Sequence, residues 1–372
     1  MRAKPIFRVV LALALALSGL AGAAEEPEVQ GRKKSEWIRI LKTDTRRNKR
    51  VGAVLALGIL GPQKDILDAF GQILREEKEE TVRQQVVGVL GGFRKEEMRP
   101  MIPQLAMSLR EDTSPVIRAE IASVLGKLGD IARPALSALV TRLKDDDAAT
   151  RSASAEAIGR LGVEAAEAIP SLLPLLRDKD SVVRFSSAFA LGRLGPDATI
   201  AVADLSMLLA GDPAVEVRKE VARTLGSMGA DAKTAVPALV AALKQDKSDE
   251  VRQQAALAVG RMIGHIEAAL PDLKAILPKE ADATVRLYLV RTIASALEAR
   301  ASLMMTDYAK LLGSERDGEV KLALIQELGA MGPDARDAIP ALSRCLNDVQ
   351  VPVRDAAKVA IARIKAPAKK KE

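Results

Sequence analysis

The sequence predicts an all-α superhelix of about ten two-helix repeats. Three observations lead there. A basic residue recurs ten times at near-equal steps, each with an acid six positions before it and Gly or Ala eight positions after. Within each step the apolar residues fall at three- and four-residue intervals, the spacing of one helix face. The chain is also 48% hydrophobic but only 2% aromatic, which suits close-packed helices of Ala, Leu, Val and Ile better than strands.

The basic anchors are Arg50, Arg83, Arg118, Arg151, Arg184, Arg218, Arg252, Arg286, Lys321 and Arg354, at intervals of 33, 35, 33, 33, 34, 34, 34, 35 and 33. Their acids are Asp44, Glu77, Asp112, Asp145, Asp178, Asp212, Asp246, Glu280, Glu315 and Asp348. The small residues are Gly58, Gly91, Gly126, Gly159, Gly192, Gly226, Gly260, Ala294, Gly329 and Ala362. A period of this size marks a solenoid, in which each unit hides its apolar face only by stacking on its neighbours. At 372 residues an ordinary chain would divide into two or three domains; the repeat replaces that expectation with one elongated stack.

Residues 1–23 read as a secretory signal peptide: Arg2, Lys4 and Arg8 precede an apolar run from Val9 to Leu17, and Ala21, Gly22 and Ala23 offer small residues for cleavage near Ala23 or Ala24. The apolar run is short against the ~20 residues of a spanning helix. Residues 24–34 read as a linker, 35–366 as the repeat domain and 367–372 as a basic disordered tail. The chain is therefore expected in the periplasm or outside the cell, without stable membrane insertion after cleavage. Its single cysteine, Cys345, leaves no intramolecular disulfide. The net charge of +7 falls to +4 once the three leader cations are removed, a modest excess that does not call for nucleic acid.

One repeat shows how the text becomes structure. From Asp178 to Gly195, Val183, Ser187, Leu191 and Leu194 share a face; Asp178, Asp180 and Ser181 supply capping oxygens, and Gly195 with Pro196 supplies the stop. A second helix is expected from Asp197 to Leu209. Glycine inside a helix costs about 1 kcal/mol against alanine, so its recurrence at Gly192 and its equivalents marks places where successive repeats cross. Enlarging Gly192 to Leu is expected to split or destabilise the stack. The acid-to-base spacing straddles the turn between helices, so a ladder of Arg and Asp should run between repeats.

The text D-x-x-x-x-V-R at Asp178 to Arg184 and Asp246 to Arg252, followed by A-A-x-A-L-G-x-L-G-like segments and by A-I-P-x-L at Ala168 to Leu172 and Ala338 to Leu342, resembles the HEAT repeat, in particular the short bacterial HEAT-like type of phycobilisome lyases. The likeness covers about residues 35–366. It implies a right-handed α-α superhelix whose first helices face the convex side and whose Arg-bearing second helices line the concave side. A tetratricopeptide array would show recurrent aromatics, and ankyrin its T-P-L-H text. The pattern loosens at Gln84 to Arg94, and again from Arg286 to Gly313, where Tyr288, Ala294, Leu297, Met304, Met305 and Tyr308 replace the usual text; either a kink or a site would account for this.

Catalytic chemistry has little to work with. One histidine, His265, and one cysteine cannot build a His/Cys metal cluster, and His265 is read as a surface turn residue. It is followed by Ile266, so the His-Glu pairs of the HEAT-like deoxyhypusine hydroxylases are missing. Asp145, Asp146 and Asp147 read as capping, with a carboxylate metal site left open. No cofactor is expected. On each Arg-bearing helix the positions one, five and nine after the anchor form a stripe without a core role. Mid-stack it carries Arg160, Phe185, Phe189, Arg193, Arg223, Arg261 and Arg291, with Tyr288 beside it. These are the candidate protein-binding residues, since aromatic and Arg side chains anchor interfaces; the competing reading folds both Phe onto the flanking helices as core. The expected function is an exported, non-enzymatic scaffold that binds a protein or peptide on its concave face. The alternatives are an accessory lyase or other enzyme with an unrecognised site in the groove, and a nucleic-acid groove like that of the alkylpurine glycosylases.

Overall fold

The computed structural model describes residues 26–366, so the leader before Glu26 and the basic tail after Ala366 lie outside the described residues. Ten Arg- or Lys-bearing helices follow one another: Arg47–Leu60, Glu80–Leu90, Pro115–Leu128, Ala148–Leu161, Ser181–Leu191, Val215–Met228, Asp249–Arg261, Ala283–Leu297, Gly318–Ala330 and Val351–Lys365. Each is preceded by a partner helix, from Lys34–Thr43 in the first repeat to Ile339–Cys345 in the last. Consecutive Arg-bearing helices pack on one another along the stack, as do partner helices over much of its length, which gives the expected two-layer α-α solenoid.

In the template repeat, Val183, Ser187, Leu191 and Leu194 are all buried. Asp180 caps the helix by accepting from the Val182 amide at 2.9 Å. The helix stops at Leu191 rather than Gly195, and Gly192 lies just past its end. Gly195 takes φ 85°, a left-handed turn that L side chains resist. The partner segment does not run as one helix from Asp197. It opens with a 3₁₀ turn, Pro196–Ala201, and becomes α-helical only over Val202–Gly211. Elsewhere the A-I-P text places the proline in the first turn of the partner helix, as in Ile169–Leu172 and Ile339–Cys345, where its missing N–H has no intrahelical partner to lose.

Two features close the ends of the described stack. The segment read as a linker carries an antiparallel hairpin, Glu28–Val29 against Arg32–Lys33, turned by Gln30 and Gly31 at φ 53° and 71°. It leans on the first repeat: Trp37 Nε1 donates to the Val29 carbonyl at 3.0 Å, and the Arg32 guanidinium lies 5.1 Å from the Trp37 ring centre. At the far end, the position four after the anchor is Val54, Val87, Ala122, Ala155, Ala188, Ala222, Ala256, Val290 and Ile325 in the first nine repeats, all buried. In the tenth it is Lys358, exposed and paired with Asp355. A polar residue where the next unit would pack is the mark of a capping repeat.

The irregular stretch keeps the architecture. Ala283–Leu297 and Met305–Ser314 are helical; Tyr308 is fully buried and donates its hydroxyl hydrogen to the Val290 carbonyl at 3.1 Å. Glu298 stands at φ 41°, beside the place where other repeats carry a left-handed glycine, and holds a backbone shape that costs a non-glycine residue about 1–3 kcal/mol.

Candidate binding face

The anchor ladder exists, and its register is specific. Each guanidinium serves two turns at once. Arg184 Nη1 donates to its own turn's Asp178 carbonyl at 2.9 Å, while Nε and Nη2 form a fork on Asp212 of the next repeat at 2.6 and 2.9 Å. The same arrangement joins Arg50 to Glu77, Arg83 to Asp112, Arg118 to Asp145, Arg151 to Asp178, Arg218 to Asp246, Arg252 to Glu280 and Arg286 to Glu315. Lys321 meets Asp348 with a single bond of 2.6 Å. The acid six residues upstream thus offers its carbonyl to its own arginine and its carboxylate to the arginine of the repeat before. Burial alone would push these carboxyls up. The guanidinium bonds and the turn amides outweigh it and hold Asp145, Asp178, Asp212, Asp246 and Glu315 below the ordinary range. Planar, bidentate and nearly buried, these cations are committed to holding repeats together.

The recurrent glycines let the Arg-bearing helices meet. A Cβ on Gly159 would lie 2.7 Å from the Ala190 Cα, and one on Gly226 would lie 2.9 Å from the Ala258 Cα. In both cases the neighbour is the residue six after the anchor of the next repeat. Gly192 would meet the Thr224 side chain at 3.0 Å instead.

Side by side, four of these helices wall a trough of about 660 Å³. Gln84, Gly88, Ala119, Ser123, Ser152 and Glu156 line it, with Lys127 and Val182 at its margins. The candidate residues continue from there along the same stripe. Phe185 and Tyr288 are half-buried and packed against the core, so for these two rings the flanking helices are the immediate environment. Phe189, also half-buried, has a different one: the guanidiniums of Arg193 and Arg223 lie 5.5 and 5.7 Å from its ring centre. Arg193 also donates to the Gly159 carbonyl at 3.1 Å. Arg223 is fixed by a bond of 2.8 Å to the buried Glu220, which raises its pKa against the effect of burial. Arg160 is exposed and paired with Glu156; Arg261 and Arg291 are exposed.

The trough is the feature that sequence reasoning missed. Its only signal was the group of small or neutral residues Gln84, Gly88, Ala119, Ser123 and Ser152 among the stripe positions of repeats two to four. Of the residues weighed for chemistry, His265 is exposed in a 3₁₀ turn, Asp147 caps a helix through the Thr150 amide at 2.7 Å, and Asp145 is held by Arg118 and Arg142. Among the described residues no group of His, Cys, Asp and Glu could hold a metal ion, and no helix is long and apolar enough to cross a membrane.

The family model described as HEAT repeats matches residues 35–126, 102–192, 136–213 and 202–294. No curated protein matches the sequence. Among solved structures, the chain is similar to Kap121p bound to RanGTP, with TM-score 0.56 and 16% identity over 88% of this chain and 41% of that one. It is also similar to Kap95p with RanGDP, with TM-score 0.60 and 14% identity over 89% of this chain and 50% of that one. The chain therefore spans half the length of these solenoids or less, and at such identities the likeness is one of fold.

Proposed function

Since the chain belongs to the HEAT-repeat family, we propose that it is a non-enzymatic scaffold that works after export, holding a protein or peptide against the face formed by its Arg-bearing helices. The observation that carries the reading is Phe189. In a chain with five Phe, this ring is only half-buried and has two guanidiniums at 5.5 and 5.7 Å from its centre. An aromatic flanked by arginines is the usual composition of an interface anchor. The solved solenoids that it resembles hold protein partners, RanGTP for Kap121p and RanGDP for Kap95p. The apolar stretch after Arg8 supports export.

Affinity capture from the native host tests the binding reading. Wild type is compared with Phe189→Ala, which leaves the core-packed Phe185 in place. Loss of specific partners is expected, and equal recovery by both proteins refutes the face. Cell fractionation with N-terminal sequencing tests export: a processed chain beginning near Ala24 is expected, and a full-length cytoplasmic chain overturns that part.

A further inference from the structure

The charges on this face are segregated along the helices. At the N-terminal ends, Glu216 and Glu250 are drawn together by Lys219 at 2.6 and 2.9 Å. The other edge, five and nine residues after the anchors, carries Lys127, Arg160, Arg193, Arg223, Arg261 and Arg291. Only Arg160 and Arg223 of these make an ion pair among the described residues. Glu156, which stands on the same edge, and Glu220 neutralise two of the six, and a helix C-terminus offsets only about half a charge, so the edge keeps a positive excess from Lys127, Arg193, Arg261 and Arg291. Two of the cations are also presented in a particular way. Both lie near the Phe189 ring; Arg223 spends its Nε and Nη2 on Glu220, whereas Arg193 gives only Nε, to the Gly159 carbonyl, and keeps its terminal N–H groups for a carboxylate.

The spacing of these cations defines a register. Packed helices lie about 8–10 Å apart, and an extended chain advances about 3.3 Å per residue, so a strand laid across the helices passes about three residues per repeat. Resting on the binding face argued above, we propose that the basic edge receives an extended acidic segment of a protein partner, with a carboxylate at every third residue reading one cation per repeat. Complementary charge of this kind sets register and suppresses wrong partners.

Two fluorescent peptides of equal composition test it: Glu-Gly-Ser repeated five times, and a permutation with the five Glu in one block. Binding of each to the full mature chain is followed by fluorescence anisotropy at physiological salt. The phased peptide is expected to bind about tenfold more tightly than the block, and the triple variant Arg193→Gln, Arg261→Gln, Arg291→Gln to weaken it about a hundredfold, at about fivefold per exposed cation. An unchanged circular dichroism melt confirms that the variant is folded. Equal affinity for the two peptides overturns the register. Binding of a single-stranded oligonucleotide as tight as that of the phased peptide overturns the acidic-peptide assignment in favour of a general polyanion surface. If no acidic peptide binds while Phe189-dependent capture of a partner persists, this inference fails and the binding-face reading stands.

Discussion

The same substitution, glycine to alanine, should change sign between two helices of this protein, and one distance decides it. Gly88 lies inside Glu80–Leu90, and a Cβ there would meet nothing within 4 Å. Alanine should therefore contribute only its helix preference and lower unfolded-chain entropy, stabilising by about 0.5–1 kcal/mol. Gly159 lies inside Ala148–Leu161, and its Cβ would stand 2.7 Å from the Ala190 Cα and 3.1 Å from the Ala190 Cβ. The obstacle is backbone and cannot rotate away, so the two repeats must separate. Overpacking of this sort costs about 1–3 kcal/mol, which outweighs the helix gain. Urea titration followed at 222 nm measures both variants. Gly159 joins repeats four and five, and the stability of a stack is a sum over its interfaces, so Gly159→Ala should also broaden the transition or divide it in two. If Gly159→Ala raises the midpoint as Gly88→Ala does, the argument that these glycines are crossing points is wrong.

Arg184→Met leaves Asp212, whose side chain is 1% exposed, without its fork; a loss of about 3–5 kcal/mol is expected, whereas removing an exposed pair by Lys64→Met should leave the midpoint nearly unchanged, both read by urea titration. The ladder acids have folded pKa values below their unfolded ones, so their contribution is complete above the ordinary carboxyl range and is lost as pH falls through the folded values. The melting temperature should be flat near neutrality and drop below about pH 4; a protein equally stable at pH 2 contradicts the ladder. Glu298→Gly should raise stability by about 1–3 kcal/mol by relieving the left-handed backbone, and a lower midpoint refutes that strain. Burial pushes the Glu327 carboxyl up, against the pull of Arg291. With a raised folded pKa its contribution is present at low pH and lost as pH rises, so Glu327→Gln should stabilise at pH 7 and lose that advantage near pH 4 in a melting series.

The fold was legible because each rung needs the same side chains at the same step, and a period repeated ten times is visible in one sequence. The choice of partner within a rung was not. Arg184 stands six residues after Asp178 and 28 before Asp212, a separation that the hydrogen bonds record. The first interval is constant and the second varies from 27 to 29, so regularity favours the wrong acid, and only the stacking of turns says which one gives its carboxylate. The two phenylalanines show a similar limit. Phe185 and Phe189 share one stripe, yet Phe185 folds onto the core while Phe189 is held beside Gly159, to which a Cβ would come within 3.2 Å of its ring. That fate depends on a glycine 30 residues away in sequence. The trough was hidden for the same reason, since its walls come from four helices in separate repeats.

Because each guanidinium from Arg50 to Arg286 grips both its own turn and the following one, the solenoid is riveted mainly along one edge. The other edge of the described residues, where the 3₁₀ turns lie and Val163, Ile200 and Leu303 are exposed, has only the exposed pairs Lys95–Asp130, Arg133–Glu167 and Arg300–Glu267 between repeats, which hold far less. A rod fastened that way deforms like a hand fan: the pinned side keeps its length while the loose side spreads or gathers, and the width of the trough changes with it. On the scaffold reading proposed above, such a rod accommodates cargo of different girth without breaking any rivet.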